Sequence, residues 1–318
     1  MKAKTVILFI AGGLLVIGII LCFIAFAISD FKISGILTRG PFIEKTFTVS
    51  ANNITSVYIE DSNKKVTIIP SDDEQIHVLY SEDEKEIYKI QNDGGKLSIV
   101  LKNNRRWYEY IGVLSWNFDS NPLTVKIPAS YAGSIDCTTS NGDVTVSDFT
   151  ALDILNVSTS NAGIALSEIN VKQTILHTSN GKIKADNLQA ESFSSETSNA
   201  SVELSNIRKA QSISCKTSNG RITVKQASGH NIFLKTSNSN IEIGQIEVGN
   251  EITCNTSNGN IKGNVSGNMN DFSITSRTSN GDNNLPKSST GGNKIMKIHT
   301  SNANIEINFI PVSIPSMS

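Results

Sequence analysis

Aromatic residues make up only 6% of the 318 residues, too few for the core of an ordinary compact globule. A surplus of one charge is lacking too. The formal net charge is -1 and the isoelectric point about 6.4, so nothing in the composition demands nucleic acid or an acidic ligand. Also missing are a phosphate-cradling glycine loop, a zinc-type spacing and a nucleophile elbow. The glycine- and aspartate-rich turns of calcium-bound rolls are absent. No cofactor and no metal are therefore expected. Asn, Ser, Thr and Gly are abundant, which suits turns and polar ladders better than helices.

One segment stands apart. Residues 5–28, TVILFIAGGLLVIGIILCFIAFAI, carry no charge and are almost wholly apolar. About 20 apolar residues cross the hydrocarbon core as a helix, whereas the apolar core of a cleavable signal usually runs about 7–15. A retained signal-anchor is the favoured reading, although Ala25-Phe26-Ala27 resembles a cleavage site. Leu21 stands before Cys22 where a lipoprotein signal wants a small residue. Residues 1–4 then form a short cytoplasmic tail and residues 29–45 a stalk. The bulk of the chain is expected outside the cell, on a single-pass anchor in the cell membrane, although the flanking charges give only a weak bias.

The rest of the chain repeats. Thr-Ser-Asn occurs nine times, at intervals of 19 to 22 residues. The threonines are Thr139, Thr159, Thr178, Thr197, Thr217, Thr236, Thr256, Thr278 and Thr300. The asparagines are Asn141, Asn161, Asn180, Asn199, Asn219, Asn238, Asn258, Asn280 and Asn302. Four and two residues before each Thr the columns are mainly apolar, as in Ile213 and Cys215; five and seven after, the same holds, as in Ile222 and Val224. The residues between are mostly polar. This is the period of a strand with one buried face. Each unit reads strand, Thr-Ser-Asn corner, strand, second corner. A unit of about 20 residues buries its apolar face only by stacking on copies of itself. The fold class is all-β: a parallel β-solenoid, or single-stranded β-helix, with consecutive windings about 4.8 Å apart and right-handed by the crossover rule.

Inward parity shifts across the triplet, so the chain bends there. The residue after the Asn is Gly in five units and Ala or Ser in the others. The Asn is therefore expected to take the left-handed conformation, which it tolerates better than Ala or Ser. Stacked Asn side chains can bond along the ladder, and the hydroxyls can satisfy corner backbone groups. Thr and Asn are expected to point inward or into the corner, which counts against a flat ice-binding array. Cys137, Cys215 and Cys254 share one inward column; Cys215 and Cys254 are two units apart, roughly 9–10 Å, beyond the about 7 Å a disulfide spans. Three buried free thiols are expected. His177 and His299 share an outward column of mixed chemistry, and no column is lined by carboxylates in successive units as a polysaccharide-cleaving groove would need.

Residues 131–310 form the regular array, residues 46–130 divergent early windings and a cap, and residues 311–318 a tail. Val57, Ile59, Asp61-Ser62-Asn63, Val66 and Ile68 match the unit; Tyr88, Ile90, Leu97 and Ile99 repeat it loosely. Residues 103–122 break it and hold both tryptophans. Arg105, Arg106, Trp107, Tyr108, Tyr110, Trp116 and Phe118 make this a candidate interaction loop for carbohydrate, peptide or headgroups; the plain reading is a lid over the solenoid. Residues 285–294 are a loop inserted before the last unit.

The repeated TSNG unit, the LTVKIP strand at 123–128 and the single anchor resemble a bacterial family. This is the candidate-adhesin β-strand-repeat family, domain of unknown function 4097, and the resemblance covers about residues 45–310. It implies a β-helical domain in the bacterial envelope, often on a membrane anchor, and supplies no site residues. The function expected is non-enzymatic: a membrane-anchored, surface-exposed solenoid for adhesion or envelope interaction. Its partner would be an envelope polymer, host matrix or another envelope protein. The alternatives are an accessory or sensor protein of an envelope-stress pathway and, third, a polysaccharide-acting enzyme.

Overall fold

The computed structural model describes residues 2–28, 42–104 and 122–311. The chain divides into two compact units. One comprises Met1–Ile43, Glu82–Ile87 and Asn103–Ser120; the other comprises Glu44–Ser81, Tyr88–Lys102 and Asn121–Ser318.

The first unit carries the helix α1, Lys2–Ile28. The transmembrane helix expected over 5–28 is not borne out. Among the described residues no helix is long and apolar enough to cross a membrane.

The second unit is a parallel β-solenoid. Its early strands are β1 (Ile43–Ser50), β2 (Ser56–Glu60), β3 (Val66–Ser71), β4 (Gln75–Glu82), β5 (Glu86–Asp93), β6 (Lys96–Asn103), β7 (Leu123–Pro128) and β8 (Ser134–Thr138). Six long strands follow: β9 (Val144–Ser158), β10 (Ile164–His177), β11 (Ile183–Glu196), β12 (Val202–Lys216), β13 (Ile222–Lys235) and β14 (Ile241–Asn255). The last are β15 (Ile261–Ser266), β16 (Phe272–Arg277), β17 (Ser288–Ser289), β18 (Lys294–His299) and β19 (Ile305–Ile310). β9 starts in the residues expected to lead out of the first triplet, and β1 starts within the expected stalk.

Registers follow the repeat. Ile213 pairs with Ile232 and Ile232 with Ile252; Cys215 pairs with Leu234 and Leu234 with Cys254. These β-branched and aliphatic columns form one continuous buried core. Each fully buried Ile or Leu contributes about 1.5–3 kcal/mol, and the columns repeat that contribution winding after winding.

Stacking order departs from chain order at both ends. β18 lies between β14 and β16, and β19 pairs with β15, so the winding of residues 294–310 is inserted inside the earlier winding 272–285. At the other end β2 lies between β6 and β8, and β3 between β7 and β9. Strands β6 and β7 are therefore outermost in the parallel stack, although residues 56–71 come first in the chain. Leu97 and Ile99 pair with Val57 and Ile59. They occupy the columns before the corner, not after it as the loose repeat implied; Leu123 and Val125 fill the columns after it. Both outer edges are covered by antiparallel strands. β4 pairs His77, Val78 and Leu79 with Lys126, Val125 and Thr124, and β17 pairs Ser289 with Ile274. An open parallel edge invites further strands; these short covers close it.

Candidate interaction surface

The Thr-Ser-Asn corner splits its side chains between core and solvent. Thr178 and Thr300 are wholly buried, and the other triplet threonines except half-buried Thr278 are also buried. Five of the buried hydroxyls, those of Thr139, Thr159, Thr178, Thr217 and Thr256, do two jobs. In the third regular winding the Gly181 amide donates to Thr178 Oγ1 at 3.1 Å, while that hydroxyl donates to the Ala162 carbonyl of the preceding winding at 3.1 Å. The pattern recurs at Thr217 with Gly220 and Ala200, and at Thr256 with Gly259 and Ser239. The backbone stays paired round the bend: the Asn180 amide donates to Ser160 O at 3.0 Å and the Asn199 amide to Ser179 O at 3.0 Å. A bend that would otherwise strand buried donors and acceptors is thus fully satisfied.

The asparagines face solvent instead. Asn141 Nδ2 donates to Asn63 Oδ1 at 2.7 Å, and the chain of amides continues through Asn161, Asn180, Asn199, Asn219, Asn238 and Asn258 at 2.6–2.8 Å. It then passes to Asn302 and ends at Asn280, each bond 2.8 Å. The ladder follows stacking order, not chain order. The asparagines do not take the left-handed conformation expected of them. Non-glycine residues with positive φ lie at the second corner: Asp148 (66°), Glu168 (54°), Asn187 (51°) and Asn206 (55°). They stand nine residues after their Thr, where short polar side chains bond locally; Asn187 donates to Glu168, and Asn206 to Asn187. The first corner needs close approach instead. A Cβ on Gly181 or Gly220 would lie 1.6 Å from the carbonyl oxygen of Ala162 or Ala200.

Lys209 is the exception at the second corner. It has φ of 60° at the extra residue of a 20-residue unit, where the register of β12 slips against both neighbours. A bulge of this kind re-aims a side chain. Lys209 lies at the junction of two shallow grooves, one of about 460 Å³ with Lys172, Glu191 and Leu152 and one of about 360 Å³ with His230 and Glu247.

At the N-terminal end the triplet Thr is replaced by Asp61 and the small residue by Lys64. Asp61 Oδ1 accepts the amides of Ser62 (2.6 Å), Asn63 (3.0 Å) and Lys64 (2.9 Å), and Oδ2 accepts the Tyr88 hydroxyl. The Lys64 ammonium is buried, donates to Ser81 O at 2.5 Å and sits 5.0 Å from the Tyr88 ring centroid. The loose early winding thereby gains a polar plug that sequence reasoning missed. The signal was the Lys in a column of Gly, Ala and Ser.

Cys137, Cys215 and Cys254 are buried free thiols; burial pushes the Cys215 and Cys254 thiols up to about 12 and raises that of Cys137 as well. His77 bridges Asp73 at 2.9 Å and Thr48 at 3.1 Å, and its hydrogen bond holds the Asp73 carboxyl below the usual range. Among the described residues no group of His, Cys, Asp and Glu is placed to hold a metal. The candidate interaction loop, Arg105, Arg106, Trp107, Tyr108, Tyr110, Trp116 and Phe118, lies outside the described residues.

Fold and surface together define a parallel β-solenoid with an amide-lined edge and flat outward faces. The family described as Toastrack DUF4097 matches residues 54–308, and the chain belongs to that family. No curated protein matches the chain. Among solved structures it is similar to a candidate adhesin from Bacteroides fragilis NCTC 9343: 12% identity, 84% of this chain and 97% of the other, TM-score 0.39. A candidate adhesin from Parabacteroides merdae ATCC 43184 is 11% identical over 83% of this chain and 96% of the other, TM-score 0.38. A candidate lipid-binding protein from Parabacteroides distasonis ATCC 8503 is 14% identical over 83% and 96%, TM-score 0.33. Likeness at this level carries no argument about function.

Proposed function

We propose that the chain is a non-enzymatic surface solenoid that binds an envelope polymer, a host matrix or another envelope protein. In this reading it is held at the cell membrane by its apolar N-terminal segment, with the solenoid outside. The uncharged run of residues 5–28 supports the anchor. The single observation that carries the binding role is the division of labour in each winding. Inward columns and the Thr clamp specify the fold, so the outward columns are left to vary, as in the column Glu196, Lys216, Lys235, Asn255. Side chains set at strand spacing on a flat face suit recognition of an extended partner.

The test compares cells carrying the full chain with cells lacking it. Protease shaving of intact cells should remove the solenoid, and attachment to matrix-coated or envelope-polymer-coated surfaces should fall in the deletion strain. A solenoid protected until the cells are broken, or unchanged attachment to every surface, would overturn the reading.

A further inference from the structure

Several cations on the strand face after the triplet are paired: Lys182 with Glu203 at 2.6 Å, and Arg221 and Lys262 with Glu242 at 3.4 and 3.7 Å. On the face before it, the outward column next to the triplet reads Glu196, Lys216, Lys235, Asn255, His299, Arg277 in successive windings. All except half-buried Asn255 are exposed, and among the described residues no carboxylate pairs with Lys216, Lys235 or Arg277. Lys216 and Lys235 stand directly opposite, a like-charge neighbour pair that weakens a sheet. On the same windings the one carboxylate of the next outward columns, Glu251, is taken by Lys297 at 2.9 Å.

The exchanged order of the last two windings assembles this column. In chain order Arg277 would follow Asn255; in the stack His299 lies between them, joined in register to both. Two further groups flank the row. Phe233 presents its ring on the same face, 5.9 Å from the Lys216 ammonium. The exposed amides of Asn219, Asn238, Asn258, Asn302 and Asn280 run beside it around the corner.

We propose that this column binds a linear acidic polysaccharide lying along the stacking direction. Lys216 and Lys235 stand one winding step of about 4.8 Å apart, with Arg277 three windings further on, and a pyranose in an extended chain advances by a step of the same order. Its carboxylates would then meet successive windings. The Phe233 ring offers an apolar face to a sugar ring, and the amide edge offers partners for its hydroxyls. A ring-free polyphosphate chain would use the cations alone. The inference rests on the surface-binding reading and names the chemistry of its partner.

The test uses the purified full chain in detergent. Polygalacturonic acid is the probe, with dextran, inorganic polyphosphate and phosphatidylglycerol vesicles as the other arms. Polygalacturonic acid should bind in a salt-sensitive way and dextran should not. The K216Q/K235Q double variant should lose about tenfold in affinity, the scale of a lost charge-assisted contact. Phe233→Ala should weaken polygalacturonate binding and leave any polyphosphate binding unchanged. Lys182→Gln, on the other face, should bind as the parent does. Absence of polygalacturonate binding, equal loss in Lys182→Gln, or stronger binding to polyphosphate or vesicles would overturn the proposal. If K216Q/K235Q cells attach as well as the parent while deletion cells do not, this column is refuted and the surface-binding reading survives.

Discussion

Gly281 packs against the carbonyl of Ala303, and a Cβ on that glycine would lie 2.1 Å from the oxygen. Ala303 comes 22 residues later in the chain, yet its winding sits directly beneath. The same contact joins Gly142 to Lys64, Gly181 to Ala162, Gly220 to Ala200 and Gly259 to Ser239. Along the stack, each glycine rests on a winding whose equivalent residue is not glycine.

Gly220→Ala should therefore be costly, because its Cβ would meet backbone that cannot swing away. Overpacking of this kind costs about 1–3 kcal/mol. Ala200→Gly, in the neighbouring winding, should cost only about 0.5–1 kcal/mol through chain entropy. Urea unfolding of both variants checks the asymmetry; equal losses would contradict the contact.

Buried threonines should divide into two kinds. Thr217→Val strands the Gly220 amide and the Ala200 carbonyl, each hydrogen-bonded to the hydroxyl at 3.1 Å, and should cost about 1–3 kcal/mol. Thr174 is fully buried, and among the described residues its hydroxyl has no partner. Thr174→Val should instead stabilise, by about 1 kcal/mol. Thermal melts of the two variants should move in opposite directions.

Lys209 holds a left-handed backbone that costs a non-glycine residue about 1–2 kcal/mol. Lys209→Gly should relieve most of this, less the added freedom of the unfolded chain, for a net gain of about 0.5–1 kcal/mol. A raised urea midpoint with an unchanged slope is the expected signature.

The Lys297 ammonium holds the Glu251 carboxyl below its ordinary range, aided by the Thr253 hydroxyl. A carboxyl with a depressed folded value stabilises the fold above its unfolded value and loses that contribution as pH falls through the folded one. At neutral pH Glu251→Gln should be slightly less stable than the parent, by under about 1 kcal/mol for so exposed a pair. The gap should close on acidification below the carboxylate range. Paired pH-dependent melts measure it.

Much of the fold was legible because the repeat states it. The alternation around Ile213-Ser214-Cys215 and Ile222-Thr223-Val224 fixes which side chains face inward, and the recurring triplet marks the bend. Stacking order was harder, since every winding offers the same edge to every other. One trace existed: glycine and non-glycine alternate after the triplet asparagine until Gly259 and Gly281 follow one another, and placing Ala303 between them restores the pattern. The early windings misled because Leu97 and Ile99 carry the same parity in either half of a unit. The corner conformation misled for a different reason. Asn tolerates positive φ, but here clearance past a neighbouring carbonyl sets the residue choice, and the strained backbone lies seven residues beyond the Asn, at Asp148 and Glu168. The unpaired column from Lys216 to Arg277 could not be read without the exchanged order.

That exchange also bears on how the molecule responds to load. The first and last strands of the parallel stack, β2 and β19, are roofed by strands that belong to the chain's interior. Once β1 has parted from β4, tension on either end cannot peel the stack one strand at a time from an open face; it must shear a strand that has neighbours on both sides. A protein tethered at one end and gripping something along its flank would yield late and abruptly under such a pull, rather than unspooling gradually.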